Sequence, residues 1–200
     1  MTTKTDSFPS VQNPLSGHWA TTAGGLKCTS AGVVKGTGVS PQDNLSSWST
    51  SDYTFANDQT SAISFSNVGV NDWPGATTRI TGTGTSTTGY VAYAVPEASS
   101  VNLYKIATSG TIGSGSTNLL ASYTGLTLTG SHTLELDVTG TNLTTKLDGT
   151  TLGTVSDSSY ASGQPGMAYE FGNTDASQIN SWTGTDGISS TPGLMGQTLL

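Results

Sequence analysis

Charged residues are scarce in this sequence, and basic residues are the scarcest. Lys and Arg together number 6 against 13 Asp and Glu, which gives a formal net charge of -7 and an isoelectric point near 4.4. Nucleic acids and anionic membrane surfaces attract proteins through basic patches. The charge balance therefore argues against nucleic acid and membrane as partners.

The sequence also lacks helix formers and long apolar runs. Leu, Ala, Glu, Lys and Arg are too sparse to sustain a helical pattern, whereas Thr, Ser and Gly are abundant. No apolar stretch approaches the ~20 residues of a membrane span. Residues 1–10 contain no apolar run that could form a signal-peptide core. We expect an almost entirely β, soluble protein that is not exported by the Sec pathway.

Metal-binding and redox residues are few. Cys28 is the single cysteine, so it cannot form an internal disulfide, and we predict a buried strand residue rather than a reactive thiol. Asp157, Asp175 and Asp186 offer carboxylates for a calcium site, but their spacing is not that of a ligand loop. Capping of turns is their favoured role. We predict neither a metal site nor a cofactor.

The clearest structural pattern lies within residues 131–156. Apolar residues occupy alternate positions on both sides of Asp148-Gly149, which is the period of strands with one buried face. Asp-Gly tolerates positive φ at both central positions of a two-residue hairpin turn. The third strand loses its alternation around Gly153, which predicts a β-bulge there. The segment is therefore a predicted three-stranded meander.

The remaining chain predicts further short strands separated by turn signals. Their spacing of about 8–12 residues is typical of an antiparallel two-sheet sandwich. We expect one such domain over residues 1–187, followed by a C-terminal tail over residues 188–200.

Two tryptophans fall in segments whose composition predicts loops. Residues 40–51 are polar and contain Trp48, and residues 70–76 contain Trp73 followed by a proline, which cannot donate a ladder hydrogen bond. A strand is predicted between them, directly after the first loop, over residues 52–55.

Short motifs follow one another in a characteristic order along residues 6–187. They are Asp6-x-Phe8, Gly17-x-Trp19, Arg79, Gly89-Tyr90, Leu103-Tyr104-Lys105, the run from Leu134 to Gly140, Asp148-Gly149, the run from Asp157 to Tyr160, and the run from Gly163 to Gly166. This order resembles the concanavalin A-like lectin/glucanase superfamily, in particular its laminin-G-like jelly rolls. The resemblance implies the fold but no activity, because one fold hosts many functions.

Hydrolases of that superfamily carry Glu-x-Asp-x-Glu or Glu-x-Asp-x-x-Glu on one strand, where the carboxylates act as nucleophile and acid/base. Glu135 and Asp137 match the beginning of this motif, but Thr139 and Gly140 stand where the second Glu would be. We therefore predict no catalytic residues and no enzyme activity. A laminarinase-like glycoside hydrolase is the least favoured function.

Binding of a sugar requires aromatic faces beside hydrogen-bonding side chains. Tyr90 and Tyr93 are three positions apart, so they point to opposite faces of a regular strand and at most one of them belongs to a given groove. Each strand aromatic has the alternative role of filling the core. The predicted carbohydrate-binding residues are Trp48, Trp73, Arg79, Tyr90 and Tyr104.

The favoured function is that of a non-catalytic structural or adhesion protein of a virus particle. Low charge, a Thr/Ser/Gly-rich composition and the missing signal peptide indicate a component of a bacteriophage head decoration or tail fibre, with glycan recognition as an option within that role. Its partners would be other virion proteins or copies of itself. The alternative is a free carbohydrate-binding module or lectin, which would bind a cell-surface glycan.

The predicted tail carries apolar residues that cost free energy if they remain in water. We expect them to anchor the chain to a neighbouring subunit or another virion protein, or else to pack back on the sandwich. The predicted partner-binding residues are Leu194, Met195, Leu199 and Leu200.

Overall fold

The structure is a computed structural model that describes residues 1–37, 42–66, 72–107, 117–171 and 177–187. Within these residues the chain forms fifteen strands and two short 3-10 turns, Gly84–Ser86 and Pro96–Ala98. The strands are β1 (Thr3–Asp6), β2 (Trp19–Ala23), β3 (Leu26–Ser30), β4 (Val33–Gly36), β5 (Gln42–Trp48), β6 (Gln59–Ser66), β7 (Trp73–Thr81), β8 (Thr88–Val95), β9 (Ser100–Ile106), β10 (Thr117–Thr124), β11 (Ser131–Thr139), β12 (Asn142–Leu147), β13 (Thr150–Ser156), β14 (Gln164–Phe171) and β15 (Gln178–Asp186).

The strands build two antiparallel sheets, which confirms the predicted sandwich. Sheet A has the order β13-β12-β11-β6-β15-β4-β3, and β1 also pairs with β15. Sheet B has the order β10-β9-β8-β7-β14-β5-β2. Strands far apart in sequence are therefore neighbours, as in the pairing of β6 with β15, and loops from distant parts of the chain meet at the ends of the sandwich.

The core between the sheets is made by one face of each strand. In β11, Leu134, Leu136 and Val138 are buried, and they belong to the same hydrophobic core as the large rings of Trp182 and Tyr169. Complete burial of an apolar side chain of this size stabilises the fold by about 1.5–3 kcal/mol. The alternate apolar residues of β11 in the sequence are therefore the residues that β11 contributes to the core.

The predicted meander is confirmed. Asp148 and Gly149 have φ of 50° and 76°, and Leu147 pairs with Thr150 on the flanking strands β12 and β13. Leu147 also lies opposite Leu134 where β12 pairs with β11. The register of β12 and β13 shifts next to Gly153, as the broken alternation predicted. A Cβ at Gly153 would lie 2.6 Å from Cε1 of Tyr123, so glycine lets that ring cross the bulge.

The two loop predictions around the tryptophans are wrong for residues 42–48 and 73–76, whereas residues 49–51 do lie outside any strand. Residues 42–48 form β5, whose inner face carries buried Asn44 and Ser46, so its polar composition hid a central strand. Residues 73–76 belong to β7. Pro74 is tolerated because the ladder between β7 and β8 begins only at Gly75.

The predicted strand over residues 52–55 is also wrong. The N–H of Asp52 donates to the carbonyl of Ser49 at 3.0 Å, and its carboxylate accepts from Nε1 of Trp48 at 2.8 Å. These hydrogen bonds close a turn after β5 in place of a strand.

Cys28 is buried in β3, as predicted. No helix in the described ranges has the length and apolarity needed to cross a membrane. The tail 188–200, including Leu194, Met195, Leu199 and Leu200, lies outside the described residues, as does Asp175. The proposed domain boundary and the partner-binding role of the tail therefore stay predictions.

Candidate functional site

Arg79 anchors three loops at one end of the sandwich. Its side chain is only 3% exposed and donates hydrogen bonds to three main-chain carbonyls, those of Asn57 (3.0 Å, from Nε), Tyr160 (2.8 Å, from Nη1) and Gly140 (2.8 Å, from Nη2). Its Nη2 also lies 3.7 Å from Oδ1 of Asp58. These partners belong to the β5–β6, β11–β12 and β13–β14 connections, which a single side chain therefore holds together.

The backbone of β7 turns to place Arg79 at this end. Arg79 has a φ of 53°, and the registers of β7 with both neighbours shift around it. Its N–H donates to Oε1 of Gln59 at 3.1 Å. Burial lowers the pKa of Arg79, while electrostatic interactions with Tyr90 and Asp58 oppose that shift. A guanidinium still stays protonated in proteins, so the anchor is a permanent cation.

The three loops line an open groove next to the guanidinium. We call it the Arg79 groove. It has a volume of about 380 Å³ and is lined by Asn57, Asp58, Arg79, Gly140, Thr141, Ser158, Tyr160 and Ala161. The side chain of Asp58 is 45% exposed, and its Oδ1 accepts the N–H of Gly140 at 2.8 Å. The carboxylate of Asp58, the amide of Asn57 and the hydroxyls of Thr141 and Ser158 thus lie around the ring of Tyr160.

Tyr90 supports that ring from beneath the groove. It is buried, and its ring centroid lies 5.3 Å from that of Tyr160. Its hydroxyl donates to Oδ1 of Asp157 at 2.7 Å and accepts the N–H of Tyr160 at 3.1 Å. Burial and then the hydrogen bond to Asp157 raise the pKa of Tyr90 to about 12. Tyr90 therefore fixes the wall of the groove without being exposed in it.

Asp157 is the acceptor that completes this wall. Burial alone would raise the pKa of its carboxyl, but hydrogen bonds from Tyr90 and Ser159 and the charge of Lys105 together lower it to about 2. Nζ of Lys105 lies 3.4 Å from Oδ2. The residue caps its own turn by accepting the N–H of Ser159 at 2.8 Å. The predicted turn-capping role of Asp157 is therefore confirmed.

Trp48 lies away from this groove, in the core. Its ring stacks on that of Trp182 at 5.0 Å and meets Trp19 edge-on at 5.3 Å. The exposed ring at that end of the sandwich is His18, which is 57% exposed, stacks on Trp48 at 4.9 Å and has Nδ1 2.9 Å from Asp52. A ligand at this end would contact the imidazole rather than the predicted tryptophan.

A second, larger groove of about 620 Å³ opens beside His18, between the N-terminal segment and β15. Asp6 on its wall accepts the N–H of Phe8 at 2.7 Å and Nε1 of Trp19 at 2.8 Å. The other ring on its wall, Trp182, is buried. The aromatic surface that it offers to a ligand is therefore the imidazole.

Trp73 and Tyr104 lie together on the face of sheet B that points away from sheet A. They flank Tyr93, with ring centroids 6.1 Å and 6.3 Å from it. Nε1 of Trp73 donates to Oε1 of Glu97 at 2.7 Å. Tyr93 is buried on this face whereas Tyr90 is buried between the sheets, which confirms that the two tyrosines point in opposite directions. The five predicted sugar-binding residues therefore fall in three separate places.

Glu135 and Asp137 lie on the outer side of sheet A as a paired cluster. Nζ of Lys146 contacts Oε1 of Glu135 at 2.6 Å and also contacts Oδ2 of Asp137. The other oxygen of Asp137, Oδ1, accepts a hydrogen bond from Oγ1 of Thr60 at 2.5 Å. Burial would lower the pKa of Lys146, but hydrogen bonds with Asp137 and Glu135 raise it overall. One lysine therefore forms an ion pair with both carboxylates of the incomplete hydrolase motif.

Within the described ranges, no three His, Cys, Asp or Glu side chains are grouped closely enough to hold a metal ion. Asp186 accepts the hydroxyl of Tyr53 at 2.7 Å and the N–H of Ala56 at 2.5 Å, so it ties the β5–β6 connection to β15.

No protein-family model matches this chain, and no curated protein does. Solved structures do match, at low identity. The carbohydrate binding module CBM66 from Bacillus subtilis is 16% identical, with a TM-score of 0.60 over 84% of this chain and 92% of that one. The carbohydrate recognition domain of Emp46p in its potassium-bound form is 12% identical, with a TM-score of 0.60 over 92% and 100% of the two chains.

An enzyme shares the architecture as well. The apo Crh5 transglycosylase is 12% identical, with a TM-score of 0.56 over 93% of this chain and 85% of that one. These likenesses concern the fold and do not transfer an activity. By its two antiparallel sheets and their likeness to these structures, the chain has the β-sandwich fold of the lectin-like jelly rolls.

Proposed function

We propose that the protein binds a short saccharide in the Arg79 groove and catalyses no reaction on it. The observation that carries the proposal is the set of exposed polar groups around the ring of Tyr160, all on loops that Arg79 anchors. Sugars are recognised by an aromatic face that packs on their C–H groups and by polar side chains that bind their hydroxyls.

Asp58 is the central acceptor in this proposal. Its Oδ1 is occupied by the N–H of Gly140, whereas Oδ2 has no donor among the described residues. An exposed carboxylate oxygen of this kind accepts hydrogen bonds from sugar hydroxyls, and charge-assisted bonds are stronger than neutral ones. Asn57, Thr141 and Ser158 supply further donors and acceptors around it. The volume lies near the lower end of the usual range for ligand sites, about 300–1,000 Å³, which suits a short saccharide.

The compared structures support the alternative function, a carbohydrate-binding module or lectin, better than the virion role. Two of them are described as carbohydrate-binding or carbohydrate-recognition domains, and none is described as a virion protein. Head decoration, tail-fibre assembly, virion partners and virion localisation remain predictions without support. The pairing of Glu135 and Asp137 with Lys146 favours binding over hydrolysis.

A glycan-array screen followed by calorimetric titration tests the proposal. Asp58→Asn keeps the acceptor for Gly140 but removes the charge, so we expect affinity for the selected glycan to fall at least about tenfold. Thermal unfolding of the same variant checks that the fold is intact.

Glu97→Gln is the matched control, because it makes the same chemical change beside Trp73. Its affinity should equal that of the wild type. Loss of binding in Glu97→Gln with normal binding in Asp58→Asn would move the site to Trp73 and Tyr104. A folded wild-type protein that binds no glycan on the array would refute the function itself.

A further inference from the structure

The two charged side chains among the described residues of the Arg79 groove differ in their exposure to a ligand. They are Arg79 and Asp58. The guanidinium is 3% exposed and donates to three main-chain carbonyls, whereas the carboxylate is 45% exposed. The charge that a ligand meets first in this groove is therefore negative.

Among the described residues of the groove, none offers an unpaired cation to an acidic ligand. Nη2 of Arg79 donates to the carbonyl of Gly140 at 2.8 Å and lies 3.7 Å from Oδ1 of Asp58, so an anion would compete with both. Lys105 does not line the groove, and its Nζ pairs with Oδ2 of Asp157 at 3.4 Å. Uronic and sialic acid residues are therefore poor ligands for this site.

Tyr160 places an aromatic ring in the same groove as the carboxylate. Nη1 of Arg79 binds the main-chain carbonyl of Tyr160 while Nη2 lies near Asp58, so one guanidinium fixes the positions of both. The hydroxyl of Tyr160 donates to the carbonyl of Ile106 at 2.6 Å. Burial and then the negative charge of Asp157 raise the pKa of Tyr160, so its phenol stays neutral. The face of such a ring attracts ammonium groups through its quadrupole.

The remaining polar side chains of the groove favour a sugar over other amines. Asn57, Thr141 and Ser158 line the groove together with the carboxylate and the ring. The ammonium group of a lysine side chain would use only the carboxylate and the ring. An amino sugar carries hydroxyls next to its amine, so it can also form hydrogen bonds with these three side chains.

We propose that the Arg79 groove selects saccharides that carry a free, protonated amine, an inference that rests on the saccharide-binding function proposed above. The ammonium group of the sugar binds Oδ2 of Asp58 and packs against the ring of Tyr160, and the sugar hydroxyls bind the polar side chains around them. The net charge of -7 also attracts cationic ligands to the whole surface. Selection by the groove must therefore be separated from this general attraction.

Calorimetric titration of the full chain with short oligomers, at a mildly acidic pH that keeps the sugar amine protonated, tests the selectivity. The ligands are a glucosamine oligosaccharide, its N-acetylated form, a glucuronic acid oligosaccharide, and a lysine oligomer with as many amines as the first ligand. The glucosamine ligand should bind about tenfold more tightly than its N-acetylated form, because hydrogen bonds between charged groups are stronger than neutral ones. The glucuronic acid and lysine ligands should bind at least tenfold more weakly than the glucosamine ligand.

Asp58→Asn should abolish this preference, so that the glucosamine ligand and its N-acetylated form bind with equal affinity. Ala161→Lys places a cation at an exposed position of the groove and leaves Asp58 unchanged. It should lower the affinity for the glucosamine ligand about tenfold, and it repeats the test if Asp58→Asn does not fold. Glu97→Gln is the matched control and should keep the wild-type preference.

Equal wild-type affinity for the glucosamine ligand and its N-acetylated form would overturn the selectivity, and if Asp58→Asn weakened both, saccharide binding in the groove would still stand. Equal affinity for the lysine oligomer would also overturn it, because net charge alone would then explain binding. A preference that Asp58→Asn or Ala161→Lys leaves unchanged, or that Glu97→Gln abolishes, would place the amine elsewhere on the protein. If none of the saccharides binds, both the selectivity and the saccharide-binding function are refuted.

Discussion

Replacement of Arg79 by methionine should destabilise the fold strongly, because it leaves three carbonyls of three loops without their donor. Removing one partner of a buried charged network costs about 3–5 kcal/mol. Part of that cost is recovered here, since Gly140 and Asp58 border an open groove where water can reach them. We therefore expect a loss of about 3 kcal/mol, which for a domain of this size lowers the melting temperature by about 6–12 °C.

The assay is denaturant unfolding followed by fluorescence, with thermal unfolding as a second measurement. Arg79→Lys keeps the charge but cannot reach three divergent carbonyls, so its stability should lie between those of the wild type and Arg79→Met. Lys27→Met is the control, because it removes a cation from β3, away from the residues that line the groove, and it should change stability by less than about 0.5 kcal/mol. If the free energy of unfolding of Arg79→Met lies within about 0.5 kcal/mol of the wild-type value, the loops hold their positions without the guanidinium and the reasoning fails.

Three further predictions follow from the structure. Gly149→Val should destabilise by about 1 kcal/mol or more, since valine resists the positive φ of this turn, and an unchanged denaturation midpoint would contradict this. The folded pKa of Asp157, about 2, lies below its ordinary value of 3.8. The ionised carboxylate therefore stabilises the fold above pH ~4, and this contribution is lost as the pH falls toward 2. Asp157→Asn should flatten the dependence of the free energy of unfolding on pH in this range. The wild-type protein should release no reducing sugar from β-glucans, and turnover that Glu135→Gln abolishes would show that a hydrolase site exists.

A strand could be predicted from the sequence when its two faces differ in polarity. Strand β11 has Leu134 and Leu136 on the core side and Glu135 between them on the wet side, so its alternation is visible in the sequence. Strand β5 is covered on both sides and buries Asn44 and Ser46, so neither periodicity nor hydrophobicity revealed it. Its assignment requires knowledge of its neighbours β14 and β2.

The groove was predictable only in part, for a related reason. The resemblance drew attention to Arg79, but its hydrogen bonds go to main-chain carbonyls of residues 57, 140 and 160, which no side-chain motif can reveal. Asp58 and Tyr160 come near Arg79 because β6, β11 and β7 occupy particular places in two sheets. Sheet order depends on packing of the whole chain, and a local pattern does not encode it.

The anchoring of the loops through main-chain oxygens affects how this protein can vary. Every residue type supplies a carbonyl, so the side chains of Asn57, Thr141 and Ser158 can be exchanged without removing an acceptor from Arg79. A library randomised at these exposed positions, with Arg79 held fixed, should therefore contain many folded members that differ in ligand preference. The positions that determine what is bound are largely separate from the contacts that hold the loops, so binding specificity could diverge among descendants of one stable scaffold.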